Sequence, residues 1–208
     1  DVPNSNLFNI SVGGSMNDQT HFKNFQYNKG SGTDFLGFDN GLRSLNGGIN
    51  ATLRPMNNGY DLLNNGLNND WSIKNRKPIA DLSLSMNIAH RWVSESGRTL
   101  AMLGAVNYSN TYKTYLNMDN NLYGAYDITH DRSNYLRKGV DDQYNHNVRV
   151  GAMLNLTYVP ASGNNRYEFK NIFNQLGKDR YTYRKGTDAQ SDYEESAEYY
   201  YQSRTTYS

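Results

Sequence analysis

Between Ala80 and Trp92 the chain alternates with a period of two. Leu82, Leu84, Met86, Ile88 and Trp92 share one side, and Asp81, Ser83, Ser85, Asn87 and Arg91 share the other. Successive side chains of an extended strand point to opposite faces, so this stretch predicts a strand with one apolar and one polar face. The pattern recurs. In residues 7–16 the apolar stripe is Phe8, Ile10, Val12 and Met16, and in 99–112 it is Leu100, Met102, Val106, Tyr108 and Tyr112. In 147–158 it runs through Val148, Val150, Ala152, Leu154, Leu156 and Tyr158. Weaker strands are predicted at 166–176, with Tyr167, Phe169 and Phe173 in register, and at 198–208. No helical period of comparable strength appears.

The connections differ in kind. Residues 93–98 and 160–165 are short and rich in Ser, Gly, Pro and Asn, which suits reverse turns. Residues 28–79 and 113–145 carry no comparable stripe and are predicted as long loops, whereas structureless loops beyond about 12–15 residues are uncommon in compact domains. The stripes also outlast the ~5–6 residues usual for a soluble strand. At ~3.3 Å per residue and a tilt near 40°, thirteen residues rise roughly 33 Å, enough to cross an apolar band of about 25 Å. Long strands, with tight turns at one end and long loops at the other, predict an all-β fold: antiparallel up-and-down strands forming part of a transmembrane outer-membrane β-barrel. The alternative on the same pattern is a soluble β-sandwich. In the barrel reading Leu84, Met86, Val150 and Leu154 face lipid, and Ser85, Asn87, Arg149 and Asn155 face the lumen. The tight turns lie in the periplasm and the long loops at the cell surface.

Composition changes the picture little. The mean hydropathy is −0.85, yet 13% of the 208 residues are aromatic, 18 of them tyrosine, which is unlike a disordered chain. A net charge of +1 gives no pull toward nucleic acid, and the lack of cysteine excludes disulfides and thiolate metal sites. No apolar run approaches the ~20 residues of a membrane helix. The opening Asp-Val-Pro, without initiator methionine or leader, predicts a processed chain or a portion of a longer one.

Two stretches carry a family likeness. In TDFLGFDNGLRSLN (33–46), Asp34 and Phe35 precede Leu36-Gly37-Phe38-Asp39, followed by Asn40, Gly41 and Arg43. This resembles a segment shared by a class of TonB-dependent outer-membrane receptors. NDWSIKNRKPIADLSLSMNIAHRW resembles the Asn-x-Trp segment that leads into a descending barrel strand of that family. GRTLAMLGAVNYSNTY and FKNIFNQLGKDRYTYRKG resemble strands that follow. The resemblance implies energy-coupled uptake of a scarce nutrient: a siderophore, a cobalamin-like compound or a glycan. It implies an outer-membrane location, contact with outer-membrane lipid, and coupling to the TonB system through parts not seen in this sequence. No plug domain and no TonB-engaging motif is visible, and about six strands stand where the family has about 22.

Candidate chemistry is sparse. The four histidines form no close ligand pair, and 119–127 clusters oxygen ligands without the spacing of a calcium loop. No nucleophile stands with a His and Asp partner and no phosphate loop is present, so neither enzyme activity nor a cofactor is expected. The candidate ligand-binding residues are Asp34, Asp39 and Arg43, with Tyr60, Trp71, Tyr123 and Tyr126 as aromatics able to stack on sugars or other flat ligands. A second reading stands beside each. The charged trio can pin its own loop through carboxylate-to-backbone bonds and an ion pair, and the aromatics can hold the loops together. The competing function is a secreted or surface β-sheet protein that contacts carbohydrate through its loop tyrosines.

Overall fold

Each alternating stretch becomes a strand, and all of them join one antiparallel sheet. The structure, a computed structural model, describes residues 2–44, 70–188 and 191–208. In chain order the elements are β1 (Leu7–Ser15), β2 (Phe25–Asn28), a 3-10 turn (Asp34–Leu36), β3 (Ile73–Arg76), β4 (Asp81–Val93), β5 (Thr99–Asp127), β6 (Arg132–Val159), β7 (Tyr167–Asp188) and β8 (Ser191–Tyr207). The sheet order is β1-β4-β5-β6-β7-β8, and β2 pairs with β3 separately. β1 and β8 are its edges, each paired on one side among the described residues.

Register carries the stripes across the whole sheet. Val12, Leu84, Tyr108 and Val150 form one cross-strand row, and Ile10, Met86, Val106, Ala152 and Phe173 the next. Ser11, Ser85, Asn107 and Gly151 form the row between them, on the opposite face. The division predicted for 84, 86, 150 and 154 against 85, 87, 149 and 155 is therefore the division of the two faces. On the apolar face Phe8, Ile10, Val12, Leu84, Met86, Leu100, Val106, Leu154 and Phe169 stay 39–73% exposed. At the tight-turn end this belt is bordered by a row containing Trp92, Leu100, Tyr158 and Tyr167.

Both tight turns use glycine where the backbone demands it. Gly97 (φ 79°) donates to the Ser94 carbonyl at 2.9 Å, and Gly163 (φ 68°) to that of Pro160 at 3.0 Å. Strands alternate in direction, so both turns lie at one end of the sheet.

The structure corrects the expectation for 113–145. Instead of a loop, β5 continues to Asp127 and β6 begins at Arg132, leaving a four-residue turn. There the Asp127 carboxylate accepts from the Thr129 and His130 amides at 3.0 and 3.2 Å. β7 and β8 likewise reach well beyond 166–176 and 198–208. The physical reason is that the stripe ends before the strand does. Beyond Tyr112 both faces are polar, and Asn and Asp, poor strand formers, are held by ladder pairing with neighbours rather than by a buried face. A register shift between Tyr115 and Met118, with Asn117 at φ 55°, further breaks the period.

The predicted loop 28–79 is also partly built. β2, β3 and the 3-10 turn fold back as a small module onto the same face as the apolar belt, beyond its far end. Phe25, 1% exposed, packs edge-on against Tyr112 and Tyr144 at 5.4 and 5.5 Å, and Tyr144 and Tyr181 complete the buried centre. The Arg76 guanidinium lies over the rings of Tyr27, Tyr112 and Phe25 at 4.3, 4.8 and 5.5 Å. Tyrosines replace aliphatics in this zone, and Tyr144 and Tyr181 are buried by the module.

Candidate functional site

The segment 31–43 folds as a self-capped turn. Asp34 accepts from the Ser31 amide at 3.0 Å and the Ser31 hydroxyl at 2.6 Å. Arg43 donates to both Asp34 oxygens, Nη1 at 2.9 Å and Nη2 at 2.7 Å, and Nη1 also reaches Asp39 at 2.9 Å. Asp39 in turn caps the Gly41 and Arg43 amides at 3.1 and 3.3 Å. The hydrogen bonds and charge of Arg43 hold the Asp34 carboxyl below its usual range against the burial that opposes them. The guanidinium plane lies 3.6 Å from the centre of the Tyr201 ring, and burial pushes that phenol up to about 12.

This turn is bolted to β7 and β8. Gly37, at φ 80°, meets Gly177 so closely that a Cβ on Gly177 would stand 2.5 Å from the Gly37 Cα. The Gly37 carbonyl accepts from Gln175 Nε2 and, at 2.8 Å, from the Ser203 hydroxyl. Phe38 stacks on Phe173 at 6.3 Å. Of the predicted binding residues, Asp34, Asp39 and Arg43 thus stand together, and their polar atoms are engaged with one another and with the loop backbone.

Of the aromatic candidates, Trp71 lines the same cleft as Arg43, whereas Tyr123 and Tyr126 stand apart. Trp71 packs against Tyr199 at 5.7 Å, and its carbonyl accepts from the Tyr199 hydroxyl at 2.9 Å. With Asn28, Tyr199 and Tyr201 it borders a cleft of about 320 Å³. Tyr123 and Tyr126 lie on β5 rather than in a loop, near its distal tip. Tyr123 faces Tyr135 at 4.9 Å, and the Tyr126 hydroxyl donates to Asp131. Tyr60 lies outside the described residues.

Two buried groups under the module were not singled out by sequence reasoning. His146 stacks flat on Tyr112 at 4.4 Å, with Nε2 2.9 Å from the Asn110 side-chain oxygen. Burial, helped by Arg76, depresses its pKa to about 3, so the ring is neutral. Asp179 is the neighbour of His146 in the ladder and borders two clefts of about 320 Å³ each and a third of about 430 Å³. Burial raises its carboxyl to about 6, and among the described residues no donor reaches it. A lone carboxylate in a stripe position is the signal that marks Asp179 in the sequence.

The polar side carries a further cleft of about 430 Å³ lined by Asn145, Asn147, Lys178, Asp179, Arg180 and Tyr200. Among the described residues no group of three His, Cys, Asp or Glu side chains is placed to hold a metal ion.

The fold and its faces define a class: a long-stranded antiparallel sheet with one bare apolar face, one polar face, and a loop module docked beyond the apolar belt. Comparison with protein-family models, with curated protein sequences and with solved structures finds no match.

Proposed function

We propose that this chain forms part of the wall of a TonB-dependent outer-membrane receptor, through which a scarce nutrient is taken up by energy-coupled transport. The observation that carries the reading is the apolar belt on one face of β1 and β4–β7, broken by His90, Asn171 and Gln175, and opposed mainly by Ser, Asn, Arg and Lys on the other. Water penalises such a belt, and a bilayer does not. Residues 7–14, 82–92, 100–108, 150–158 and 167–175 cross the apolar band, with Trp92, Tyr158 and Tyr167 at one interface. The distal halves of β5–β8 and the docked module extend beyond the other. The resemblance of 33–46 agrees with this assignment, because its glycines and its acid–arginine pairs are the parts that fasten the module to the wall.

The test is a pair of arginines. Leu84→Arg puts a charge in the apolar belt, at a cost of roughly 2–4 kcal/mol if that face meets lipid, whereas Ser85→Arg puts it on the wet face at far lower cost. Folding yield into detergent micelles, followed by strand circular dichroism, is expected to fall for L84R and to hold for S85R. Equal yields sink the proposal. A monomer that melts cooperatively in plain buffer replaces it with the soluble-sandwich reading.

A further inference from the structure

We infer that the polar face of β6–β8 is a binding site for a small solute bearing two or more oxyanionic groups. The inference rests on the wall reading only in calling this face the conduit. The site itself stands on register, charge and an open cleft.

Lys178 on β7 lies opposite Asn147 on β6 and Gln202 on β8. Two residues along, Leu176 is flanked by Arg149 and Arg204, which places both arginines diagonally from Lys178 on the same face. Diagonal neighbours in a sheet stand roughly 7–8 Å apart. Three cations therefore surround one leucine with no carboxylate interleaved. The acids that share this face are already engaged: Glu198 with Arg180 at 3.0 Å, Asp141 with Arg184 at 2.7 Å, and Asp81 with His21 at 3.2 Å. Among the described residues none pairs with Lys178, Arg149 or Arg204.

Neutral donors sit beside the cations. Asn145, Asn147 and Tyr200 line the cleft with Lys178 and Arg180; Asp179 also borders it, from a strand position whose side chain belongs to the other face. The Arg180 Nε is buried there without a hydrogen-bond partner, while its Nη2 serves Glu198. A cluster of like charges is costly and a bound oxyanion relieves it, whereas the Arg180 Nε, closed off from the cleft, contributes nothing to binding. Multivalence follows from the spacing, because a single carboxylate cannot span two cations this far apart.

The opposite face of the same strand supplies the control. Lys185 is exposed and lies on the side away from the cleft, so Lys185→Gln removes the same charge from the molecule without touching the site. The chain is refolded in zwitterionic micelles, its strand content verified, and citrate, pyrophosphate and acetate are titrated by calorimetry at low salt. Citrate or pyrophosphate is expected to bind and acetate not to, and the stronger of the two names carboxylate or phosphate as the preferred group. Lys178→Gln, a change at an exposed side chain, is expected to weaken that binding about tenfold, the size of one charge-assisted hydrogen bond. K185Q is expected to leave it unchanged. Equal losses in K178Q and K185Q reduce the effect to net charge and overturn the inference, as does absence of binding by both multivalent anions. The arginine pair at 84 and 85 is independent of these titrations, so failure here leaves the wall reading standing.

Discussion

Replacing Gly177 by alanine tests whether the loop module is held where the structure puts it. The added Cβ would lie 2.5 Å from the Gly37 Cα, 3.3 Å from its carbonyl carbon and 3.4 Å from its oxygen. All three are backbone atoms, so no rotamer change relieves the overlap. Gly37 sits at φ 80° and its own amide donates to the Asp34 carbonyl at 2.9 Å, which leaves the turn little room to flex. The turn must lift, and in lifting it loses the bonds from Gln175 and Ser203 to the Gly37 carbonyl. Overpacking costs about 1–3 kcal/mol and each of the two lost hydrogen bonds about 1, so docking is expected to weaken by about 3–5 kcal/mol. The sheet ladder itself is untouched. The readout is tryptic cleavage after Lys74 and Arg76 of the chain in micelles, which tracks the population of the opened module. At 1.4 kcal/mol per factor of ten, cleavage should accelerate about 100-fold or more. Gly32→Ala is the control, because nothing lies within 4 Å of the added Cβ and its φ is ordinary. A G177A protein cut at the wild-type rate would refute the docking.

Two further outcomes follow from the same module. Burial raises the Asp179 carboxyl to about 6, opposed by Arg43 and Arg76 and reinforced by Asp34, while its undocked value is near 4. A raised pKa means that docking is favoured by the protonated acid, so this contribution is full below about pH 4 and is lost as pH rises through about 6, an effect of about 2–3 kcal/mol. Asp34, whose pKa is lowered, has the opposite dependence and loses its arginine pair only at pH below that window. Cleavage after Arg76, normalised to a peptide substrate, should therefore rise between pH 4 and 6 in the wild type and stay level in Asp179→Asn; a parallel rise in both removes Asp179 from the account. Arg43→Lys keeps the charge but not the fork across Asp34 and Asp39 or the plane over Tyr201, and should loosen docking by about 1–3 kcal/mol in the same assay. Unchanged cleavage would mean that a point charge suffices.

How far the sequence speaks depends on what each half of a strand touches. Residues 82–92 and 148–158 are legible because one side must avoid water and the other need not, which prints a period of two. The continuation of β5 through Asn117, Asp119, Asn120 and Asn121 prints nothing, because no continuous apolar face is needed there and ladder pairing alone keeps it extended. The trio Asp34, Asp39 and Arg43 is readable locally, since all three residues lie within ten positions and bond to one another. Its anchors are not. Gly37 meets Gly177 across 140 residues, and neither glycine carries a mark that names the other. Tyr201 looks like one tyrosine among three in a row until register places it beside Asp179.

The side on which the module docks matters for recognition. An extracellular loop predicted to present Asp34 and Arg43 to a ligand above a pore would have to reach over the polar face. Instead it lies on the face that continues the apolar belt, against Tyr112, Tyr144, Tyr181 and Tyr201. Its charges are consumed there in fastening one loop to one wall. The polar face keeps Lys113, Arg149, Lys178 and Arg204 without carboxylate partners among the described residues, together with the cleft beneath Tyr200. Unpaired charge and the cleft of about 430 Å³ thus coincide on the face opposite the module, while the two clefts of about 320 Å³ lie beside the module. On the proposed reading, selection of a solute by this segment belongs to that polar face, and the loop at 31–43 is the clamp that holds the module to the sheet.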